Sequence, residues 1–193
     1  MSRVQGDVYF DFDIEMDSEE EDYRLLFDLP LRNNFKPRIG KGIDEVKHLG
    51  IPRFRNLNGK KCLLMEPASI VREGKNKTQQ KSNLISIPSY GNIKTKSGKI
   101  ALEISPLNIT NKQYIFMHNV IQYPSTTISI WIEDGRVYRH DIRGIQEIKD
   151  IELVNNKWNY LNIDFKGSFY IADNFYIGDG LHAYIRNLKV YKK

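Results

Sequence analysis

Apolar and polar positions alternate with a period of two over most of the chain. Val8, Phe10, Phe12, Ile14 and Met16 share one side, while Asp7, Tyr9, Asp11, Asp13 and Glu15 share the other. That period predicts a strand with one packed face and one ladder of carboxylates. Residues 17–22 (Asp-Ser-Glu-Glu-Glu-Asp) read as a charged turn, and Leu25, Leu26, Phe27 and Leu29 as a short buried segment stopped by Pro30. Between residues 30 and 60, Pro30, Pro37, Gly40, Gly42, Gly50, Pro52 and Gly59 predict loops. Ile43, Val46 and Leu49 fit one or two helical turns there. Cys62 to Met65 reads as a strand, and 72–82, polar and without a core side chain, as an exposed loop.

From residue 83 onward the pattern is strand and turn with almost no helical period. Strands are predicted at 83–87, 99–104, 114–117, 128–132, 136–142, 158–165, 168–171, 175–177 and 183–191, with 158–165 and 168–171 pairing across Lys166-Gly167. Asp134-Gly135 is a two-residue hairpin signal. Ten or more short strands about a dozen residues apart imply an all-β antiparallel sandwich. The C-terminal strand stays apolar to the end, as expected of a strand tied into a sheet. The division expected is an N-terminal strand and acidic turn over 1–22, serving as a docking arm, followed by a sandwich over 23–193.

Composition narrows the classes. The 193 residues include 40% hydrophobic and 11% aromatic residues, enough for one sizeable core. One cysteine, Cys62, rules out an intrachain disulfide and a cysteine-based zinc site. No apolar run reaches the roughly 20 residues that cross a bilayer, and the first residues lack a secretory pattern. The net charge of +5 invites a nucleic-acid reading, but the charges are segregated: nine carboxylates crowd residues 7–22, and the basic excess is spread over the remainder. Such asymmetry points to an acidic contact strip rather than a DNA groove. The Lys-rich stretch 72–81 has no interleaved aromatics. Neither nucleic acid nor membrane is an expected partner.

Four segments resemble the concanavalin A-like, laminin-G-like jelly roll: Ser-Gly-Lys-Ile-Ala-Leu-Glu-Ile-Ser-Pro (97–106), Ile-Ser-Ile-Trp-Ile-Glu-Asp-Gly-Arg-Val-Tyr (128–138), Asn-Lys-Trp-Asn-Tyr-Leu-Asn-Ile-Asp-Phe (156–165) and the closing stretch from Phe175 to Tyr191. Their order and spacing match, over about half the chain. The tip hairpin between Lys166 and Phe175 is shorter than in that family. The resemblance implies a lectin-like sandwich, commonly glycan-binding or adhesive, and leaves the function itself to the site.

Three constellations are candidates for chemistry. Tyr123, Trp131, Tyr138, Arg139 and His140 would form a sugar platform, aromatics stacking on a pyranose and polar neighbours binding its hydroxyls; core packing is the competing use of the aromatics. Trp158, which starts a strand, is expected in the core. Asp134, Asp141, Asp173 and Asp179 lie near turns and offer the hard oxygens Ca2+ prefers, although Asp favours turns in any case. Asp11-Phe-Asp13-Ile-Glu15 resembles the Glu-x-Asp-x-Glu catalytic strand of a jelly-roll glycosidase family, in which two carboxylates flank the scissile bond. Here Asp replaces the first Glu, the strand lies at the chain start, and the acidity runs on to Asp22. Asp11, Asp13 and Glu15 are therefore read as a partner-docking face, with a glycosidase as the alternative. The four histidines show no metal spacing, and no phosphate loop follows a strand.

A lectin-like domain normally works outside cells, yet this chain shows no secretion signal and no disulfide. Phage structural proteins reconcile the two, because they fold in the host cytoplasm and leave by lysis. The expectation is a non-enzymatic virion protein of a phage tail, baseplate or head surface, assembled with other virion proteins as a homo-oligomer or part of a larger assembly, and binding host surface glycan.

Overall fold

The computed structural model describes residues 23–67, 69–73, 77–81, 84–93, 96–118, 128–167 and 173–193. The strands are β1 (Arg24–Leu29), β2 (Lys47–Leu49), β3 (Arg53–Leu57), β4 (Lys60–Met65), β5 (Ser69–Glu73), β6 (Lys77–Lys81), β7 (Leu84–Pro88), β8 (Ser97–Pro106), β9 (Gln113–His118), β10 (Ile128–Glu133), β11 (Arg136–Asp141), β12 (Gly144–Glu152), β13 (Asn159–Lys166), β14 (Asn174–Ile177) and β15 (Ala183–Lys192). Two antiparallel sheets form a sandwich. The first runs β13-β8-β15-β4-β3, with β1 also paired to β15; the second runs β12-β11-β10-β9-β14-β7-β2. β5 and β6 form a separate hairpin. Among the described residues no helix is long and apolar enough to cross a membrane.

The core lies between the sheets and follows from the period of two. Ile100, Leu102 and Ile104 of β8 face inward beside Leu161, Ile163 and Phe165 of β13. Opposite them stand Ile85 and Ile87 of β7, Phe116 of β9, Ile128, Ile130 and Ile132 of β10, and Phe175 and Ile177 of β14. Phe27 of β1 meets Phe175 edge-on across the gap, ring centroids 6.0 Å apart.

The C-terminal strand is central, as its apolar ending implies. β15 keeps β8 on one side throughout, while its other side pairs first with β4 and then with β1. A bulge between Arg186 and Lys189 makes that exchange possible. Asn187 takes a left-handed φ of 54° there, and its backbone N–H donates to the Pro30 carbonyl at 2.9 Å. The extra residue resets the alternation, so Ala183 and Ile185 before it and Leu188 and Val190 after it all face the core.

Two expectations are corrected, and one strand is added. The helical turns around Ile43 reduce to a 3-10 turn, Ile43–Glu45, followed by the edge strand β2, since Gly42 and Gly50 leave no length for a helix. Residues 72–73 and 77–81 of the loop expected at 72–82 instead belong to the β5–β6 hairpin. β12 was not foreseen: its Ile145, Ile148 and Ile151 are spaced by three, and the register shift against β11 hides the alternation. The expected pairing of 158–165 with 168–171 falls on residues 168–171, which lie outside the described residues; among those described, β13 pairs with β8.

Candidate functional site

The residues of β10 that do not enter the core, Ser129, Trp131 and Glu133, project from the outer face of the seven-stranded sheet. The register places Tyr138 of β11 directly beside Trp131 and His140 beside Ser129. On the other side Tyr114 of β9 stands opposite Trp131, and Met117 opposite Ser129. A bulge in β9 produces this alignment: Ile115 is the additional residue, and it and Phe116 are both fully buried, which turns Tyr114 outward.

The outcome is a three-strand aromatic ladder, Tyr138–Trp131–Tyr114. Tyr138 stacks on the indole at 5.5 Å with an interplanar angle of 16°, and Tyr114 meets its other side at 6.1 Å. The Lys112 ammonium lies 4.3 Å from the indole centroid, a cation–π contact. Trp131 Nε1 donates to Glu133 Oε2 at 3.1 Å, so the one polar atom of the ring is satisfied. Trp131 is only 4% exposed, whereas Tyr114 and Tyr138 are half-buried and Lys112 is exposed. The tryptophan thus fixes the ladder, and its flanking tyrosines present the surface. A second row, Ile145, His140, Ser129, Met117, Tyr176 and Ser86, crosses six strands beside it. Aromatic faces next to hydroxyl, imidazole, ammonium and carboxylate groups can stack on a sugar ring and hydrogen-bond its hydroxyls.

Of the residues foreseen as a platform, Trp131, Tyr138 and His140 share this face, and Tyr123 lies outside the described residues. Arg139 does not join them. The alternation of β11 points it between the sheets, where its Nη1 donates to the Asp164 carbonyl of β13 at 2.6 Å and its Nη2 donates to Gln146 Oε1. The sequence view put consecutive residues into one site, which a strand cannot do. Trp158 is likewise not in the core cluster: it is half-buried with the Lys60 ammonium 5.4 Å from its ring centroid.

The aspartates foreseen for Ca2+ are dispersed. Among the described residues no group of three or more His, Cys, Asp or Glu side chains is placed to hold a metal. Asp134 occupies the β10–β11 turn with φ 50°, and Asp173 and Asp179 are exposed at other turns. Asp141 is buried and committed to protein donors. It accepts from the Arg143 backbone N–H at 2.9 Å, from Arg143 Nε and Nη2, and from the Lys166 backbone N–H at 2.8 Å, with Arg139 Nε 3.4 Å away. Burial opposes its charge, but these donors outweigh burial and hold its pKa below the usual carboxylate value. The cluster clamps β11 to β13 across the end of the sandwich. Asp11, Asp13 and Glu15 lie outside the described residues.

Tyr114, Lys112, Glu133, Met117 and Tyr176 were not foreseen. The alternation of 128–133 carried the signal for Glu133; the β9 bulge concealed Tyr114.

No protein-family model matches the sequence, and no curated protein is similar to it at the sequence level. Solved structures share the fold. Domain 4 of AbnA, an extracellular arabinanase from Geobacillus stearothermophilus solved with arabinotriose, superposes with a TM-score of 0.60 at 12% identity, over 89% of this chain and 94% of that one. The receptor-binding domain of a botulinum neurotoxin mosaic serotype C/D gives 0.60 at 12% identity, over 88% of this chain; the chain spans about half (47%) of that domain. A carbohydrate esterase from the Shiga toxin-encoding bacteriophage phi24B gives 0.51 at 11% identity, over 89% and 99%. The architecture is thus a β-sandwich of a kind found in carbohydrate- and receptor-binding domains.

Proposed function

We propose that this chain is a non-enzymatic glycan-binding module carried on a phage particle, with the outer face of the seven-stranded sheet as its binding surface. The observation that carries the reading is the Tyr138–Trp131–Tyr114 ladder, a pre-organised aromatic strip flanked by Lys112, Glu133 and His140 on a rigid sheet. Rings already locked by mutual stacking lose little entropy when a sugar packs on them. Two neighbours of the same fold support the choice of ligand: the arabinanase domain was solved with arabinotriose, and botulinum neurotoxin type C, another match, is described as entering cells through two ganglioside molecules. The phage setting is supported by the bacteriophage phi24B protein, which shares the sandwich fold.

The test is an oligosaccharide titration followed by tryptophan fluorescence in a Trp158→Phe background, so that Trp131 reports alone. A saturable change abolished by competing free sugar, without release of product from the glycan, supports the proposal. Product release would replace it with an enzyme, and silence across a broad glycan panel would refute it.

A further inference from the structure

Each sheet ends in a strand with an open far side, and the two open strands lie on opposite flanks of the sandwich. β3 ends the six-stranded sheet and β12 the seven-stranded one; among the described residues nothing pairs with the far side of either. Phe35 joins β3 to β2 on one flank, its ring centroid 5.3 Å from Phe54 of β3 and 5.1 Å from His48 of β2. On the other flank β11, the neighbour of β12, is tied to β13: Arg139 donates to the Asp164 carbonyl at 2.6 Å, and the Ile142 N–H to the Lys166 carbonyl at 3.2 Å. Phe54 faces inward, opposite core Leu63, so Arg53 and Arg55 project outward from β3. Along β12, Glu147 stands beside outward-facing Tyr138 and Glu152 beside Arg136, while Ile151 packs on the core. Asp150, two residues before Glu152, shares its outer side.

The two strands are complementary. β3 carries two arginines and no carboxylate, a charge of +2; β12 carries Glu147, Asp150 and Glu152 against Lys149, a charge of −2. The Arg53 guanidinium lies 3.0 Å from Glu66, and that of Arg136 holds Glu147 at 3.2 Å. Among the described residues Arg55, Asp150 and Glu152 have no oppositely charged partner, and all three are exposed. Phe54 and Ile151 each sit half-buried at a margin of the core. Both flanks also expose apolar side chains, Leu49 and Ile51 ahead of β3 and Ile142 and Ile145 around the start of β12. An open strand edge is a template for another strand, and like charges placed opposite each other oppose pairing. β3 against β3 sets arginine beside arginine, and β12 against β12 sets carboxylate beside carboxylate. The favoured match is β12 with β3.

We infer that copies of this chain associate head to tail, β12 of one copy pairing antiparallel with β3 of the next. Glu152, Ile151 and Asp150 then stand opposite Arg53, Phe54 and Arg55. Residues directly opposite share a face in an antiparallel pair, so the acidic row meets the basic row outside and Ile151 meets Phe54 inside. Each copy presents both edges on opposite flanks. The contact is therefore heterologous, and it repeats into a ring or an open filament instead of closing as a dimer. The other edges fit less well: β2 has only three residues, and β13 projects Tyr160, Asn162, Asp164 and Lys166 outward, whose charges cancel. Glycan binding plays no part in this association.

Sedimentation velocity and light scattering of the full-length chain over a wide concentration range test it. The wild type is expected to grow in mass with concentration past the dimer, and to dissociate as salt is raised. Arg53→Glu/Arg55→Glu, and separately Asp150→Arg/Glu152→Arg, should each weaken association about tenfold or more, since each exposed ion pair is worth up to about fivefold and the change adds repulsion. Mixing the two variants should restore assembly, because the reversed β3 of one matches the reversed β12 of the other; variants that had merely unfolded would not recover. A wild type that stays monomeric at every concentration, association that stops at a dimer, or assembly indifferent to both charge reversals overturns the inference.

Discussion

Removing the Asp141 carboxylate isolates the most heavily coupled charge in the sandwich. Its side chain is fully buried, and that of Arg139 is 9% exposed. In Asp141→Ala, Arg139 keeps the Asp164 carbonyl and Gln146 but loses the carboxylate 3.4 Å from its Nε, and the Lys166 and Arg143 backbone N–H groups lose their acceptor. Breaking a buried pair by removing one partner costs about 3–5 kcal/mol. For a chain of this size each kcal/mol moves Tm by about 2–4 °C, so a fall of roughly 6–20 °C is expected. The pH dependence sharpens the test. The folded pKa of Asp141 lies below its unfolded value, so its contribution is complete above the ordinary Asp range and is lost as pH falls through the lower folded pKa. Urea unfolding of wild type and Asp141→Ala at neutral pH and at successively lower pH should therefore show a gap that narrows on acidification. A gap under about 1 kcal/mol at neutral pH, the worth of an ordinary surface pair, or one that widens in acid, would refute the clamp.

Further predictions follow the same reasoning. Gly98→Ala places a Cβ about 2.6 Å from the Phe165 ring and even closer to the Tyr191 carbonyl oxygen, in the middle of three paired strands; a loss of about 1–3 kcal/mol or more is expected in denaturant melts. Asn187→Ala forces a residue of lower left-handed tolerance into the β15 bulge and deletes the hydrogen bond to Glu103, costing about 1–3 kcal/mol, whereas Asn187→Gly should recover part of that loss. Trp131→Ala removes the centre of the outer ladder and should cost about 3–5 kcal/mol, read by thermal melting, because the indole is nearly as buried as a core side chain.

The pattern of residues exposed the sandwich because each half-buried strand repeats its apolar side every second residue, as at Ile100, Leu102 and Ile104 or Ile128, Ile130 and Ile132. It was silent wherever a bulge breaks the period. The extra residue at Ile115 concealed which side of β9 Tyr114 faces, and the shift between β11 and β12 concealed the latter altogether. β2 and β3 were missed for a different reason: they are short edge strands between glycines and prolines, with only one or two apolar positions each. The site was half legible. Trp131 and Tyr138 could be placed on one face from alternation and the Asp134-Gly135 turn, but adjacency along the chain brought Arg139 wrongly into the same group. Burial of Asp141, which turns a turn-proximal carboxylate into a clamp, depends on the opposing sheet and has no local signature.

The central claim is that the outer aromatic ladder binds glycan. Its most direct measurement is binding of labelled protein to a glycan array and to whole bacterial cells, in parallel for wild type and Tyr138→Ala. The account predicts saturable binding by the wild type that free sugar competes away. It predicts roughly tenfold weaker affinity for Tyr138→Ala, the scale of one lost aromatic stack, with an unchanged fold. Wild-type binding that Tyr138→Ala leaves intact would place any glycan site elsewhere, and absence of wild-type binding to every glycan and cell would contradict the claim itself.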